Sequence, residues 1–250
     1  MGRLAESLVL PASEQRHPAL LNAIFLWSCC ISRPGPLSQY ESHYLSRTLD
    51  SLGEALRHPD KAVDVVQASC LLSLYFLSNG RMLEGSYHAN AAAALVTQFG
   101  LDKGIAQQNH EPLHALKIDT SKDPLEEGDR IMAFWQAYNL DYCWSVVLHK
   151  PPVIRDGRYA FASVSPPWPR DAEDYETVRC HLAKGHRSLS SEPQVEGGQQ
   201  FQTTTRPFME SSAANGYSPL ALRVKASALF QRADRLSSSL DSRKTRGTCF

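Results

Sequence analysis

The 250-residue chain has no net charge, no Cys-x-x-Cys pair, no apolar run of membrane-spanning length and no sustained apolar–polar alternation. Each absence removes a class. Acidic and basic residues number 26 each, so there is no overall field to gather nucleic acid or an anionic membrane. Without about 18 consecutive uncharged apolar residues there is no candidate membrane helix. The start, Met-Gly-Arg-Leu-Ala-Glu, lacks a signal-peptide run and puts Glu6 where a myristoylation signal needs Ser or Thr. A soluble, intracellular protein is expected. No His-Glu-x-x-His, Gly-x-Ser-x-Gly, P-loop or Gly-x-Gly-x-x-Gly occurs, so no familiar catalytic or nucleotide-binding motif is present. The six cysteines are 29, 30, 70, 143, 180 and 249, and the first four lie in apolar helical stretches. They read as reduced core thiols, not a disulfide framework.

What is present is helical periodicity. The most apolar and best-bounded stretch runs from Glu126 to Pro152, with acids at its start and a Pro-Pro pair at its end. Ile131, Trp135, Tyr138, Tyr142 and Val146 recur at helical spacing, with Phe134 and Val147 alongside. That pattern predicts a helix of about twenty residues, buried on much of its circumference.

Earlier in the chain, Pro18 opens a helix whose stripe is Leu20, Ile24, Trp27 and Ile31, flanked by Leu21 and Phe25, and Arg33-Pro34-Gly35-Pro36 ends it. Ser38 with Glu41 has capping-box spacing before Leu45, Leu49, Leu52 and Leu56. Asp60 stands where it could cap a central helix carrying Val63, Val66, Cys70, Leu74 and Leu77, apolar on its other sides too, and Asn79-Gly80 breaks it. An antiparallel partner follows, with Leu83, Tyr87, Ala91 and Leu95 in register. Ala89 and Ala91 to Ala94 invite close approach, and Gly100-Leu101 forms the end cap.

Residues 102–125 read as a surface loop, and the segment after Pro151-Pro152 up to Pro169 as extended and draped over the core. A short helix is expected over 171–184 and disorder over 186–216, where apolar residues are scarce. A last helix, Leu220 to Leu240, carries Leu222, Ala226, Leu229, Ala233 and Leu236 on one side. The expected fold is all-α: antiparallel helix pairs around one long buried helix, with a disordered insertion. The expected segments are 1–16, a helical core over 17–185, a linker over 186–216, and a basic amphipathic helix and tail over 217–250.

Together these helices resemble a known family. His17-Pro18-x-Leu20-Leu21-x-x-Ile24-x-Leu26-Trp27 resembles the first helix of the fungal-specific transcription factor domain, the middle homology region of zinc-cluster regulators. Gln67 to Leu101 looks like its central hairpin. Gly128-Asp129-Arg130, Phe134-Trp135, Tyr138 and Asp141, followed by Pro151-Pro152, match its Arg-x-x-x-Phe-Trp signature. The resemblance covers roughly 17–157. It implies a regulatory domain and not an enzyme, a nuclear location, protein partners including a second copy, and a small-molecule effector. The family's zinc ions sit in a cluster spaced Cys-x2-Cys-x6-Cys, twice over, and these six cysteines match none of that spacing. No zinc, other metal or cofactor is therefore expected here, and DNA contact is expected to come from a separate module. A helical-repeat interaction scaffold is the alternative, although no 34-residue self-similarity supports it.

The candidate site residues are Arg130, Phe134, Trp135, Tyr138 and Asp141. Arg130 and Asp141 lie about 16 Å apart along the helix, too far to pair with each other. They contact either an effector or packing partners. Trp135, Tyr138, Tyr142 and Trp144 either line a cavity or fill the core. Cys180, His181 and His186 form a loose metal-like set, and Asp171, Glu173, Asp174 and Glu176 an acidic cluster that reads equally as a solvated helix start. Arg223, Lys225, Arg232, Arg235, Arg243, Lys244 and Arg246 form a basic end, read as a solvated face or as phosphate contacts.

Overall fold

The structure, a computed structural model, describes residues 15–102, 118, 121, 124–154, 166–171, 174–177 and 218–247. The expected disorder at 186–216 lies outside these residues. So do nearly all of 1–16, most of the loop at 102–125, and Cys180, His181 and His186. Among the described residues the architecture is helical without a strand. The chain forms two compact units, Met1–Gly100 with Pro112–Asp119 and Leu101–Glu111 with Thr120–Phe250.

The first unit contains α1 (Pro18–Ile31), α2 (Glu41–Ala55), α3 (Ala62–Ser78) and α4 (Met82–Gln98). α1 begins where expected. His17 caps it, its Nδ1 accepting the Ala19 N–H at 3.1 Å, and Pro18 stands in the first turn. Its buried face is Ala19, Leu20, Ala23, Leu26 and Cys29, so the expected stripe is rotated: Ile31 is 75% exposed and Phe25 45%. Small residues decide the rotation. Ala19, Leu20 and Ala23 meet Ala55, Val65 and Ala68, a contact in which the alanines let the helix backbones come close. Farther along, Leu26 meets Leu72, Tyr75 and Phe76, and the Trp27 indole N–H donates to the Leu71 carbonyl at 2.8 Å.

The Ser38–Glu41 capping box does not form. Pro36–Tyr40 is a 3₁₀ turn, in which the Ser38 hydroxyl donates back to the Gly35 carbonyl at 2.7 Å. Glu41 is held instead by Arg33 and by the Tyr75 hydroxyl, which donates to it at 2.6 Å. Those partners, guanidinium first, hold its carboxyl below the usual range. On α2 the buried positions are Thr48 and Ala55, while Leu49 and Leu56 face out.

Asp60 is not the cap of α3 either. It sits in a 3₁₀ turn, Pro59–Lys61, and α3 starts beyond it. Asp64, inside the first turn, does the anchoring. It accepts the Arg16 guanidinium at 2.8 Å and the His17 N–H at 2.7 Å, tying α3 to the start of α1. α3 is central, as expected, with most of its residues buried; of the expected apolar positions Val63 and Leu71 are half-buried and Leu74 is exposed. Gly80, at φ +73°, ends it in a left-handed cap. The Arg81 N–H reaches the Phe76 carbonyl at 2.9 Å, and the Gly80 N–H reaches that of Leu77 at 3.1 Å.

α4 then packs against α3 through Gly85, His88, Ala89, Ala92, Ala93 and Val96, not through Leu83 and Tyr87, which are 85% and 67% exposed. The register expected for α4 was one position off because size was read as burial. Here the closest approach belongs to the residue without a side chain. The Ser73 hydroxyl donates to the Gly85 carbonyl at 2.7 Å, and a Cβ on Gly85 would lie 2.4 Å from Leu77 Cγ.

Two outcomes follow for the first unit. Gly85→Ala improves helix propensity by about 1 kcal/mol but must displace Leu77. Urea denaturation of the full chain should therefore show a net loss of about 1–3 kcal/mol. His88 is buried, stacked on Phe76 at 5.5 Å between ring centroids, with no hydrogen-bond partner at Nδ1. Burial lowers its pKa, against the opposing pull of Glu84. Its neutral form is therefore the folded one, and its share of stability is present above the ordinary histidine pKa and lost as pH falls through the lowered one. From pH 7 to 5 the wild-type unfolding free energy from urea denaturation should fall more steeply than that of His88→Phe, by up to about 1.4 kcal/mol per pH unit.

Candidate functional site

The second unit is built on α5 (Pro124–Val147), which packs against α6 (Pro219–Gly247). α5 is 24 residues long, starts on a proline, and carries Glu126 and Glu127 in its first turn, where acids suit the helix dipole. The expected stripe of Ile131, Trp135, Tyr138, Tyr142 and Val146 is buried together with Phe134, while Val147 is 46% exposed. Val147 is the last helical residue, so it extends past the enclosed part.

All five candidate site residues lie in this enclosed helix. Phe134, Trp135 and Tyr138 are at most 1% exposed, Arg130 is 6% and Asp141 is 3%. Their rings form a continuous cluster. Phe134 meets Trp135 edge-on at 4.8 Å, Trp135 meets Tyr138 at 5.3 Å, and Tyr138 stacks on Tyr142 at 4.0 Å. Such pairs contribute about 0.5–1.5 kcal/mol each beyond their buried area. Trp144 is half-buried and stands outside this cluster.

The two charged members are separate, as their spacing requires. Arg130 Nη2 donates to Glu126 Oε1 at 2.8 Å, one turn back on the same helix. Asp141 reaches off the helix. Its Oδ2 accepts the Ile154 N–H at 2.7 Å, and the Val153 N–H also bonds the carboxylate. The aspartate therefore caps the chain just after Pro151-Pro152, where two prolines lock the backbone in an extended course without donors of their own. Burial pushes the carboxyl of Asp141 up, and the two backbone N–H groups only partly oppose this.

The described end of the segment up to Pro169 lies on the core as expected, but sequence reasoning missed which groups make the contacts. The segment 166–171 lies along α5. The Trp135 indole N–H donates to the Pro167 carbonyl at 2.8 Å, and the indole of Trp168 stacks on that of Trp135 at 4.6 Å, nearly parallel. Behind Trp168 stands Lys225 of α6, its ammonium 5.1 Å from the Trp168 ring centroid. Lys225 is 3% exposed, so it is not part of a solvated face; Arg223, Arg232 and Arg235 are exposed, while the side chains of Arg243, Lys244 and Arg246 lie outside the described residues. Ser218 caps α6, accepting the Ala221 N–H at 3.2 Å, and donates to the Pro169 carbonyl at 2.7 Å. Ser227 donates to Asn139 Oδ1 at 2.7 Å, which joins α6 to α5 by a polar contact. Gly128 admits the ring of Tyr175, since a Cβ there would lie 2.7 Å from Tyr175 Cγ.

Two signals in the sequence pointed this way. Pro166-Pro167-Trp168-Pro169 is an extended run with free carbonyls and one large ring. Lys225 falls in register with Ala221, Val224 and Ala228, the buried positions of α6. The arrangement is one of enclosure: aromatic and charged side chains of the motif turn inward and hold segments together.

A family model described as "Fungal specific transcription factor domain" matches residues 7–195, about three quarters of the chain. No curated protein and no solved structure matches it.

Asp141→Ala leaves two backbone N–H groups without their carboxylate and should lower stability in urea denaturation by about 1–3 kcal/mol. Because burial raises the carboxyl's pKa, its contribution is fully present below the ordinary aspartate pKa and declines as pH rises through the raised one. The gap between wild type and variant should therefore narrow from acid toward neutral pH.

Proposed function

The chain belongs to the fungal specific transcription factor domain family, and from that premise we propose that it is the regulatory domain of a fungal transcription factor. It acts in the nucleus through contacts with protein partners, a second copy among them, or with a small-molecule effector. DNA contact is supplied by a module other than these residues, and no metal or cofactor takes part. The family is regulatory and not catalytic.

The observation that carries this reading is the use made of the motif side chains. Arg130 is engaged with Glu126, Asp141 with the backbone after the Pro-Pro turn, and Trp135 with the Pro167 carbonyl. Charged and aromatic groups spent in this way build a rigid body. Catalysis would instead need acids, bases or ligands converging on an open site. A rigid helical body regulates by the surfaces it presents.

Fused to a heterologous DNA-binding domain in a fungal nucleus, the full chain should change reporter output several-fold, up or down. Asp141→Ala, which loosens the second unit, should abolish the change at equal protein level. Output unchanged across several promoters would contradict the proposal.

A further inference from the structure

α6 carries two apolar faces, and the second unit uses one. The buried face is Leu220, Ala221, Val224, Lys225, Ala228 and Gln231. The other is the seam Leu222, Ala226, Leu229, Ala233, Leu236 and Leu240, whose steps of four and three residues are those of a heptad a/d repeat. Along that seam Leu222, Leu236 and Leu240 are 52%, 59% and 58% exposed. Ala226 and Ala233 are exposed as well, and Leu229 is half-buried. The seam is about 27 Å long.

A second observation points to a partner. Among the described side chains the last buried position of α6 is Gln231, and the helix continues to Gly247. From Arg232 to Leu240 every residue is exposed save the half-buried Asp234. Helical stability in proteins comes mostly from packing of an apolar face, and here a regular apolar seam continues past the part of the helix that the unit's own core covers.

Charge selects the occupant. The side chains beside the seam are Arg223, Phe230, Arg232, Ser237 and Ser239, with Lys225 turned into the core. None of these flanking positions is acidic. A second copy would bring arginine-bearing flanks together with no carboxylate in either, whereas acids flanking the apolar stripe of a partner would pair with Arg223 and Arg232. We propose that the exposed face of α6 is a docking surface for an acidic amphipathic helix of a partner protein, packed knobs-into-holes on the Leu/Ala seam. The alanines at alternate seam positions let that helix approach closely. This surface is independent of the family assignment, since periodicity, exposure and charge define it.

The test uses the full chain and two synthetic helical peptides of about three heptads, Leu at the seam positions of both. One has Glu flanking the seam and the other Lys. Fluorescence anisotropy should show saturable binding of the Glu peptide, about tenfold or more tighter than the Lys peptide and weakened by salt. Leu236→Asp with Leu240→Asp should weaken it at least about tenfold. Both residues lie beyond Gln231, so helical content and thermal midpoint should be unchanged. Arg223→Glu with Arg232→Glu should reverse the peptide preference. Equal affinity for the two peptides, or binding indifferent to the leucine pair, overturns the proposal. So does sedimentation showing a dimer of the chain that the leucine pair abolishes, because a second copy then occupies the seam.

Discussion

Trp135 is the residue on which the second unit turns. Phe134 and Tyr138 flank it on its own helix, the Trp168 indole covers it, and its one polar atom is satisfied by the Pro167 carbonyl. Each contact needs the others. The carbonyl is available because proline fixes the segment in an extended course, and the stack holds because Trp168 is backed by the Lys225 ammonium. A buried cation over an indole face contributes about 2 kcal/mol when desolvated, and it adds to the apolar face and the Ser227–Asn139 hydrogen bond that join α6 to α5. The enclosure is therefore a layered stack, indole on indole on ammonium.

The first unit rests on a different constraint. Its close contacts are made by absence of bulk: Ala19 and Ala23 on α1, Ala55 on α2, Ala68 on α3, Gly85 and Ala92 on α4. Where backbones come this near, side-chain volume sets the tolerance, and the polar groups between helices are few and specific. Asp64 ties the entry of α3 to α1, Glu41 ties α2 to Tyr75 on α3, and Ser73 binds the Gly85 carbonyl. Both units thus put carboxylates and hydroxyls to work joining elements.

This difference explains what could be read from the sequence. Helix positions, the all-α class and the breaks at Asn79-Gly80 and Gly100 were legible, because proline, glycine and periodicity act locally. The enclosure of α5 was legible as well, because its apolar residues are large and nearly surround it. Which face of α1, α2 and α4 turns inward was not. Large residues such as Ile31, Leu49, Leu83 and Tyr87 drew the eye, while packing was settled by alanine and glycine. The capping roles of Ser38 and Asp60 failed for a related reason. A 3₁₀ turn, begun in each case by a proline, intervened before the helix, and Glu41 found stronger partners through space. At the motif, Arg130, Phe134, Trp135, Tyr138 and Asp141 could be named from spacing. Trp168 and Lys225 could not, since Trp168 meets Trp135, and Lys225 meets Trp168, from positions far along the chain. On α6 the stripe read from sequence is real but faces outward, and its partner face was hidden by a lysine in the middle of it.

With the motif consumed in the core of the second unit, the proposed regulatory contacts fall to the surface, the exposed seam of the last helix among them. That account requires the middle of α5 to be the most protected part of the second unit. Amide hydrogen exchange measures this directly: N–H groups from Ile131 to Val146 should exchange in the slowest class, at the rate of global unfolding. Exchange there as fast as in the exposed stretch 232–240 would mean that the stack on Trp135 does not hold the unit, and would contradict the account.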